Sequence, residues 1–131
     1  MSDIPNDLRY TRTHEWLRSL PNGQVEVGIT HHAQGALGDL VFVDVPQAGR
    51  AVSAGEACAV VESVKAASDI YSPVDGTIVA GNAAVAGAPE LVNTDPYTAG
   101  WLMRIEKRGD GAAAGLLSAA EYAKMLADET H

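Results

Sequence analysis

The sequence is poor in cross-linking residues, and its single cysteine restricts what it can bind. Because Cys58 stands alone, neither an internal disulfide nor a cysteine metal site can form. Cys58 lies in the apolar run 57–61, which predicts a small buried side chain and fits a reducing compartment. Aromatic residues are also scarce, with two Trp, four Tyr and one Phe. We therefore expect a core built mainly from Val, Ile, Leu and Ala.

Positive charge is scarce too, and this excludes several classes of partner. Nine Lys and Arg stand against 17 Asp and Glu, which gives a net charge of −8. Nucleic acid and anionic membranes would repel such a chain, whereas proteins with basic docking patches would attract it. No apolar run reaches membrane-spanning length, and the acidic N-terminal segment has no apolar signal core. These features predict a cytoplasmic protein.

The length favours a single domain over residues 1–131, and most of its segments have a strand-like pattern. Residues 25–29 alternate between apolar and polar or small side chains, which predicts a strand with one buried face. Thr30 is placed to cap a short helix, and Ser118 begins a capping box that opens a C-terminal helix over about 118–128. The other expected elements are strands over 10–17, 40–45 (largely apolar and so buried on both faces) and 101–106, short strands and turns over 51–79, short helices over 31–36 and 89–93, and a flexible connector over 109–115.

Four residues recur along the chain with a constant displacement. The first set is Pro46, Gly49, Val52 and Gly55, and the second is Pro73, Gly76, Val79 and Asn82. A true repeat would relate two similar halves by a pseudo-twofold axis, with residues 62–69 in the hairpin that connects them. Generic turn chemistry would produce the same pattern, because Gly55 and Asn82 both tolerate a left-handed backbone. Both explanations stay open.

Lys65 is a lone cation between two strand-like segments. Small uncharged residues flank it, Val64 and Ala66, so the active site of another protein could close over this loop tip. Lysines that act as nucleophiles are activated by burial or by a neighbouring cation, whereas the charges nearest in sequence are the carboxylates of Glu62 and Asp69. The pattern favours a substrate of a modifying enzyme over a catalytic lysine. An ordinary solvated lysine is the alternative.

The segment around Lys65 resembles the lipoylation segment of a known family. Residues 62–69 have the sequence ESVKAASD and are similar to that segment of the glycine cleavage system H-protein family. An ordered set of such motifs along nearly the whole chain is highly specific. The further matching motifs are His14-Glu15-Trp16, Val27-Gly28-Ile29-Thr30, Ala33-Gln34, Leu37-Gly38-Asp39, Pro73 with Gly76, Leu91-Val92-Asn93, Pro96-Tyr97 and Gly100-Trp101.

The resemblance implies both a fold and a modified residue. The fold would be mainly β, a barrel-sandwich hybrid of the lipoyl/biotinyl type, in which short antiparallel strands are accompanied by short helices and a C-terminal helix. Lys65 would carry lipoate in amide linkage at the tip of a hairpin. Glu62 and Gly76 match positions associated with presentation to the lipoylating enzyme, and Val64 and Ala66 complete that recognition segment.

The resemblance also implies a carrier that is not itself an enzyme and that visits three others. A pyridoxal-phosphate glycine decarboxylase would load an aminomethyl group onto the lipoyl arm. A tetrahydrofolate-dependent aminomethyltransferase would remove the one-carbon unit and release ammonia, and dihydrolipoamide dehydrogenase would reoxidise the dithiol. The protein would thus be a shuttle in glycine catabolism and one-carbon metabolism.

A loaded arm of this kind needs protection from water. An aminomethyl group on sulfur can lose its amine and release formaldehyde, so a carrier that folds the arm against its own surface would slow that loss. The ammonium end would then need polar or carboxylate partners. The resemblance implies that these are Glu15, Asp69 and Thr13. A surface carboxylate in a strand is the alternative for Glu15.

Other functions stay open at this point. Biotin-accepting lysines usually lie between methionines, and the lipoyl domains of 2-oxoacid dehydrogenases usually have Asp before the lysine and lack the N-terminal motifs. A lipoyl-relay protein shares the lysine motif, and an unmodified interaction module would merely expose Lys65. A mass measurement of the modified lysine separates most of these. No metal site is predicted, because His31 and His32 are adjacent and would diverge on a helix.

Overall fold

The computed structural model describes residues 4–112 and 116–129, and in these ranges it contains nine strands and four α-helices. The strands are β1 (Arg9–Tyr10), β2 (Glu15–Ser19), β3 (Gln24–Ile29), β4 (Leu40–Asp44), β5 (Ala51–Val52), β6 (Ala57–Ser63), β7 (Ala67–Tyr71), β8 (Val74–Gly81) and β9 (Met103–Ala112). The helices are α1 (His31–Leu37), α2 (Ala83–Gly87), α3 (Glu90–Thr94) and α4 (Ala119–Glu129). A 3-10 turn over Pro21–Gly23 joins β2 to β3.

The strands form two antiparallel sheets. One has six strands in the order β1-β2-β3-β9-β8-β5, and the other has three in the order β4-β6-β7. Inward-facing side chains of both sheets, such as Val27, Val61 and Ile105, belong to one apolar cluster. A second cluster, which includes Trp16 and Tyr122, lies where α4 covers β1 and β2. The prediction of a mainly β chain with short helices and a C-terminal helix is confirmed.

The helix boundaries follow the predicted caps. Thr30 Oγ1 accepts the N–H of Ala33 at 3.2 Å at the start of α1, and Gly38 ends that helix with a left-handed φ of 86°. Ser118 and Glu121 form the reciprocal capping box, because each side chain accepts the backbone N–H of the other residue. These caps fix where α1 and α4 begin relative to the sheet.

The prediction that residues 40–45 are buried on both faces is wrong. Val41 and Phe42 of β4 are 57% and 49% exposed. The outer face of β4 is uncovered, and a register shift between Leu40 and Phe42 marks a bulge, which lets two consecutive side chains face solvent. An apolar run cannot by itself tell a buried strand from an exposed apolar surface.

Two other predicted boundaries differ from the structure. The single segment 10–17 is split into β1 and β2 by a tight turn. The last strand, predicted over 101–106, is β9 and continues to Ala112, so the first part of the expected connector 109–115 pairs with β8. Residues 113–115 lie outside the described residues. The glycines in this segment do not end the strand, because β8 supplies hydrogen-bond partners. The strand propensity of single residues does not include such pairing.

The recurring residues do not play equivalent roles. Gly55 has a left-handed φ of 85°, whereas Asn82 has a φ of −81° and caps α2 through its side chain. Val52 is buried and Val79 is exposed. The paired positions therefore differ in backbone conformation and in burial, and Gly76 and Val79 lie within β8 rather than in turns.

Candidate functional site

Lys65 lies at the tip of the hairpin formed by β6 and β7. Glu62 pairs with Ala67, and the N–H of Ser63 donates to the carbonyl of Ala66 at 2.7 Å. Ser63 Oγ accepts the N–H groups of Lys65 and Ala66 at 3.3 and 3.1 Å, so one serine side chain holds the tip together. Lys65 and Val64 are exposed, and Val64 is exposed by 81%. The hairpin thus presents one long side chain on a tight, apolar tip.

The lysine side chain lies over the end of α1. A Cβ atom placed on Gly38 would lie 3.5 Å from Cε of Lys65 and 3.9 Å from Nζ. Asn93 fixes this turn from below. Its Nδ2 donates to Gln34 Oε1 and to the Gly38 carbonyl, both at 2.9 Å, and its Oδ1 accepts the N–H of Leu40 at 2.9 Å. Sequence reasoning missed this role, although an amide directly after the apolar pair Leu91 and Val92 is a usable signal.

A cleft of about 210 Å³ opens beside Leu37, the residue before Gly38. It lies between α1, β7 and the turn that precedes β2. Its apolar walls are Ile29, Ala33, Ala36, Leu37 and Ile70, and its polar positions are Thr13, His14, His32 and Ser68. Because mainly apolar walls lead to a polar end, the cleft suits an extended hydrocarbon arm with a charged terminus.

Glu15 lies behind the polar end of this cleft and is only 1% exposed. Its Oε1 accepts the hydroxyls of Thr11 and Thr13, each at 2.5 Å, and its Oε2 accepts the N–H of Tyr71 at 3.3 Å. Burial raises the pKa of Glu15 above its ordinary value, and these hydrogen bonds oppose the shift. Thr13 connects Glu15 to the cleft, since it bonds the carboxylate and also lines the cavity.

The turn between β1 and β2 sets these positions. His14 has a left-handed φ of 73°, and its N–H donates to the Thr11 carbonyl at 3.2 Å. Thr11 Oγ1 also accepts the N–H of Glu15 at 3.0 Å. A left-handed residue after a tight turn is the geometry of a short hairpin connection with a bulge. The role of Thr11 was not predicted, because nothing in the linear pattern separates it from Thr13.

The structure brings Thr13 and Glu15 together but does not bring Asp69 to the cleft. Successive side chains of a strand point to opposite faces, and it is Ser68 and Ile70 that line the cleft. Asp69 is exposed and lines a separate pocket of about 180 Å³ with Asp44 and Arg50, among others. Its carboxylate therefore lies on the other face of β7.

The residues expected to guide lipoylation lie in two different places. Glu62, Val64 and Ala66 are all at the tip, where Glu62 is partly buried. Gly76 is buried in β8, and a Cβ atom there would overlap the carbonyl oxygen of Glu106 and lie 2.7 Å from Cγ2 of Ile105. The structure thus gives Gly76 a packing role between β8 and β9.

The three residues of the His14-Glu15-Trp16 motif have three different functions. Trp16 is buried, lies directly over Gly28 and donates from Nε1 to the carbonyl of Pro96 at 2.8 Å. A Cβ atom on Gly28 would lie 2.7 Å from the indole ring. Trp16 therefore anchors β2, while Glu15 faces the cleft side and His14 lines the cleft.

The described residues contain neither a candidate metal site nor a candidate membrane-spanning helix. Over residues 4–112 and 116–129, no group of three His, Cys, Asp or Glu side chains could hold a metal ion. In the same part of the chain, no helix is long and apolar enough to cross a membrane.

Comparison with known proteins decides the family. A family model described as "Glycine cleavage H-protein" matches residues 8–129. The chain belongs to the glycine cleavage H-protein family. It is 59% identical over 129 residues to the glycine cleavage system H protein of Halorhodospira halophila, and the match covers 98% of this chain and 99% of that protein. The H protein of Azoarcus sp. is 58% identical over 128 residues and covers 98% and 100%.

A solved structure of the H-protein family shows the same fold. The crystal structure of a glycine cleavage system H protein from Mycobacterium marinum superposes with a TM-score of 0.88 at 46% sequence identity, and the match covers 95% of this chain and 99% of that one. The expected barrel-sandwich fold is confirmed. As an H-protein family member, the chain is the lipoyl-bearing shuttle of the glycine cleavage system, and its lipoate is attached covalently to a lysine.

Proposed function

We propose that Lys65 is the lysine that carries lipoate. The chain has three lysines, and the other two, Lys107 and Lys124, lie within β9 and α4. Only Lys65 lies at the tip of a hairpin, where an enzyme can surround the side chain without unfolding a strand or a helix. This placement is the observation that carries the proposal. Glu62, Val64 and Ala66 surround the lysine and are the contacts that we propose for the lipoylating enzyme.

The proposed function is a non-catalytic carrier over residues 1–131. Glycine decarboxylase, with its pyridoxal phosphate, would load an aminomethyl group onto the arm, and the tetrahydrofolate-dependent aminomethyltransferase would take the one-carbon unit. Dihydrolipoamide dehydrogenase would then reoxidise the dithiol. An exposed Lys65 with small flanks suits a residue that other proteins engage, whereas a lysine nucleophile needs burial or a cationic neighbour. We place the protein in the cytoplasm, where a buried free thiol such as Cys58 stays reduced.

The cleft beside Lys65 is the proposed resting place of the loaded arm. Lipoate would supply a disulfide that accepts the carried group on one sulfur, and the dithiol that remains after the group is removed can be oxidised again. The apolar side chains of Ile29, Ala33 and Ile70 would exclude water from the arm in the cleft. Thr13 would turn its hydroxyl away from Glu15 to let the ammonium end reach that carboxylate.

Asp69 is the third proposed partner of the ammonium end. Its carboxylate lies on the far face of β7, so the arm would have to pass the edge of that strand to reach it. Its exposed position suits an earlier role, in which it attracts the cationic group towards the hairpin.

The buried carboxylate favours a glycine cleavage shuttle over the alternatives. A lipoyl relay or an unmodified interaction module has no cationic cargo to shelter, so neither needs Glu15 behind an apolar cleft. Burying an acidic group away from water costs free energy, and binding of a cationic cargo gives a functional reason for that cost.

The test combines mass spectrometry with reconstituted glycine cleavage. The protein from its native host, Lys65→Arg and the matched control Lys124→Arg would be compared by intact mass and peptide mapping. We expect a lipoyl-sized increment on the Lys65 peptide of the native and control proteins, and neither increment nor glycine cleavage in Lys65→Arg. Glycine cleavage by Lys65→Arg, or a biotin-sized increment, would overturn the proposal.

A further inference from the structure

The hydroxyl of Tyr122 lies where the C-terminal helix α4 meets the cleft. Tyr122 is fully buried in the first half of α4, next to β1 and β2. Its Oη lies 2.8 Å from Nδ1 of His14 and 2.7 Å from Oγ1 of Thr30. The Tyr122 hydroxyl therefore connects α4 to the His14 turn and to the start of α1, both of which are distant from α4 in sequence.

Both of these partners position a wall of the cleft. His14 lines the cleft itself, in the turn that also places Thr13 and Glu15. Thr30 caps α1 by accepting the N–H of Ala33, and its own N–H donates to the carbonyl of His14 at 3.0 Å. The position of α1 relative to this turn is thus set by a small network that has Tyr122 at its centre.

His14 is held in an uncommon backbone conformation. A left-handed backbone costs free energy for a residue with a Cβ atom, so the surrounding contacts help to hold it in place. Its ring centroid lies 4.9 Å from that of His32, which also lines the cleft. The two imidazoles form one continuous wall only while the His14 ring keeps this orientation.

We propose that Tyr122 is a positioning residue for the docked arm. Its hydroxyl holds His14 and the start of α1 in the arrangement that narrows the cleft, and this slows the attack of water on the carried aminomethyl group. Loss of that group consumes one water molecule, breaks the carbon–nitrogen and carbon–sulfur bonds, and leaves the thiol, formaldehyde and ammonium. This inference rests on the proposed docking of the arm beside Glu15.

The stacked neighbour of Tyr122 provides a matched control. The rings of Tyr10 and Tyr122 are nearly parallel, with centroids 4.7 Å apart. The hydroxyl of Tyr10 donates to the carbonyl of Pro5 at 2.6 Å and bonds neither cleft wall. Tyr122→Phe and Tyr10→Phe therefore each remove one hydroxyl from the same aromatic stack, but only the first removes a hydroxyl bonded to the cleft.

The first measurement uses full-length lipoylated protein that glycine decarboxylase has loaded and that is then freed of all enzymes. The rate of ammonia release is followed for the wild type, Tyr122→Phe, Tyr10→Phe and Glu15→Gln. We expect release from Tyr122→Phe to be about two- to tenfold faster, as for the loss of one ordinary hydrogen bond. Tyr10→Phe should match the wild type.

The second measurement needs no lipoate. In unmodified protein labelled with nitrogen-15, the ring nitrogen signals of His14 should shift in Tyr122→Phe and stay in place in Tyr10→Phe. A purely structural role would instead change the melting temperatures of both variants and leave the release rates equal.

The outcomes separate the two proposals. Faster release from Glu15→Gln, together with wild-type release from Tyr122→Phe, would overturn the positioning role and leave arm docking intact. Release from the wild type as fast as from free aminomethylated lipoamide would overturn arm docking, and the role of Tyr122 with it.

Discussion

At the scale of single residues, Glu15 is a carboxylate that the fold buries among neutral donors. Two threonine hydroxyls and one backbone N–H occupy its oxygens. Hydrogen bonds from neutral groups compensate only part of the cost of burying a charge, which is why its pKa is raised. The site therefore holds an acid that gains from the arrival of a cation.

The raised pKa of Glu15 predicts how stability depends on pH. Folding favours the protonated form, so the stabilisation from this proton is complete below about pH 4, near the ordinary Glu pKa, and is lost as pH rises through the folded-state pKa. Relative to Glu15→Gln, the wild type should lose free energy of unfolding as pH rises above about 4. Urea unfolding at several pH values measures this difference. Parallel curves would contradict the raised pKa, and the exposed Glu106→Gln serves as the control.

Residue roles could be predicted from the sequence where chemistry is local. Cys58 is buried as expected, and burial raises the pKa of its thiol to about 11. The hydrogen bonds of Asn93 and Tyr122 were not predicted, because their partners in α1 and in the His14 turn are distant in sequence. The face of β7 on which Asp69 lies could not be predicted either, because it depends on the register of β7 with β6.

At the scale of elements, the close packing of β8 against β9 in the large sheet depends on one glycine. Gly76 lets the two strands approach closely, and it lies within the six-stranded sheet rather than at the hairpin tip. We therefore propose that its match to a lipoylation position reflects packing rather than contact with the lipoylating enzyme. A side chain at this position would displace β8, the strand that follows the β6–β7 hairpin.

Gly76→Ala is expected to destabilise the protein by about 1–3 kcal/mol, the usual cost of forcing an extra methyl group into a packed site. The control is Gly35→Ala in α1, where a Cβ atom meets nothing within 4 Å. That change should stabilise by about 0.5–1 kcal/mol, because alanine loses less backbone entropy than glycine. Urea unfolding gives both values.

The same variant separates packing from enzyme recognition. At a temperature where Gly76→Ala remains folded, its lipoylation rate should equal that of the wild type. A slow rate in fully folded protein would show direct recognition of this residue by the lipoylating enzyme.

Element types were largely predictable because caps and alternation are local signals. The capping box of α4 and the strand β3 appear where they were expected. The prediction that β3 has only one buried face is wrong, because Trp16 covers Gly28 and Glu26 is buried against Arg18 and Arg104. The exposed face of β4 was not predictable, since a strand covered on both faces and a strand with one open face can share one apolar pattern. The extension of β9 was missed for a related reason, because its partner β8 supplies the hydrogen bonds.

At the scale of the whole molecule, the net charge of −8 governs encounter with partners. The tip carries the carboxylate of Glu62 beside exposed apolar side chains such as Val64. Long-range attraction would bring a basic surface to this end of the molecule, and short-range apolar contact would then hold it. Salt screens only the first of these steps.

Transfer to the aminomethyltransferase should therefore slow with added salt. Raising the ionic strength from about 0.01 M to about 0.1 M shortens the Debye length from about 30 Å to about 10 Å, so kcat/KM should fall while kcat changes little. Glu62→Gln should weaken this dependence, whereas Asp128→Asn at the end of α4 should not. A salt response equal in all three proteins would argue against steering through the tip.

The position of β9 has a consequence for how the chain is made. Of the described strands it is the last to leave the ribosome, yet it lies between β3 and β8 in the middle of the large sheet. Until it arrives, both neighbours present open edges, which are sites of faulty pairing with other chains. Closing the sheet then requires contacts between distant parts of the sequence, so folding is expected to be slow and to finish late. Chains whose synthesis stalls before residue 103 should accordingly be the aggregation-prone species in the cell.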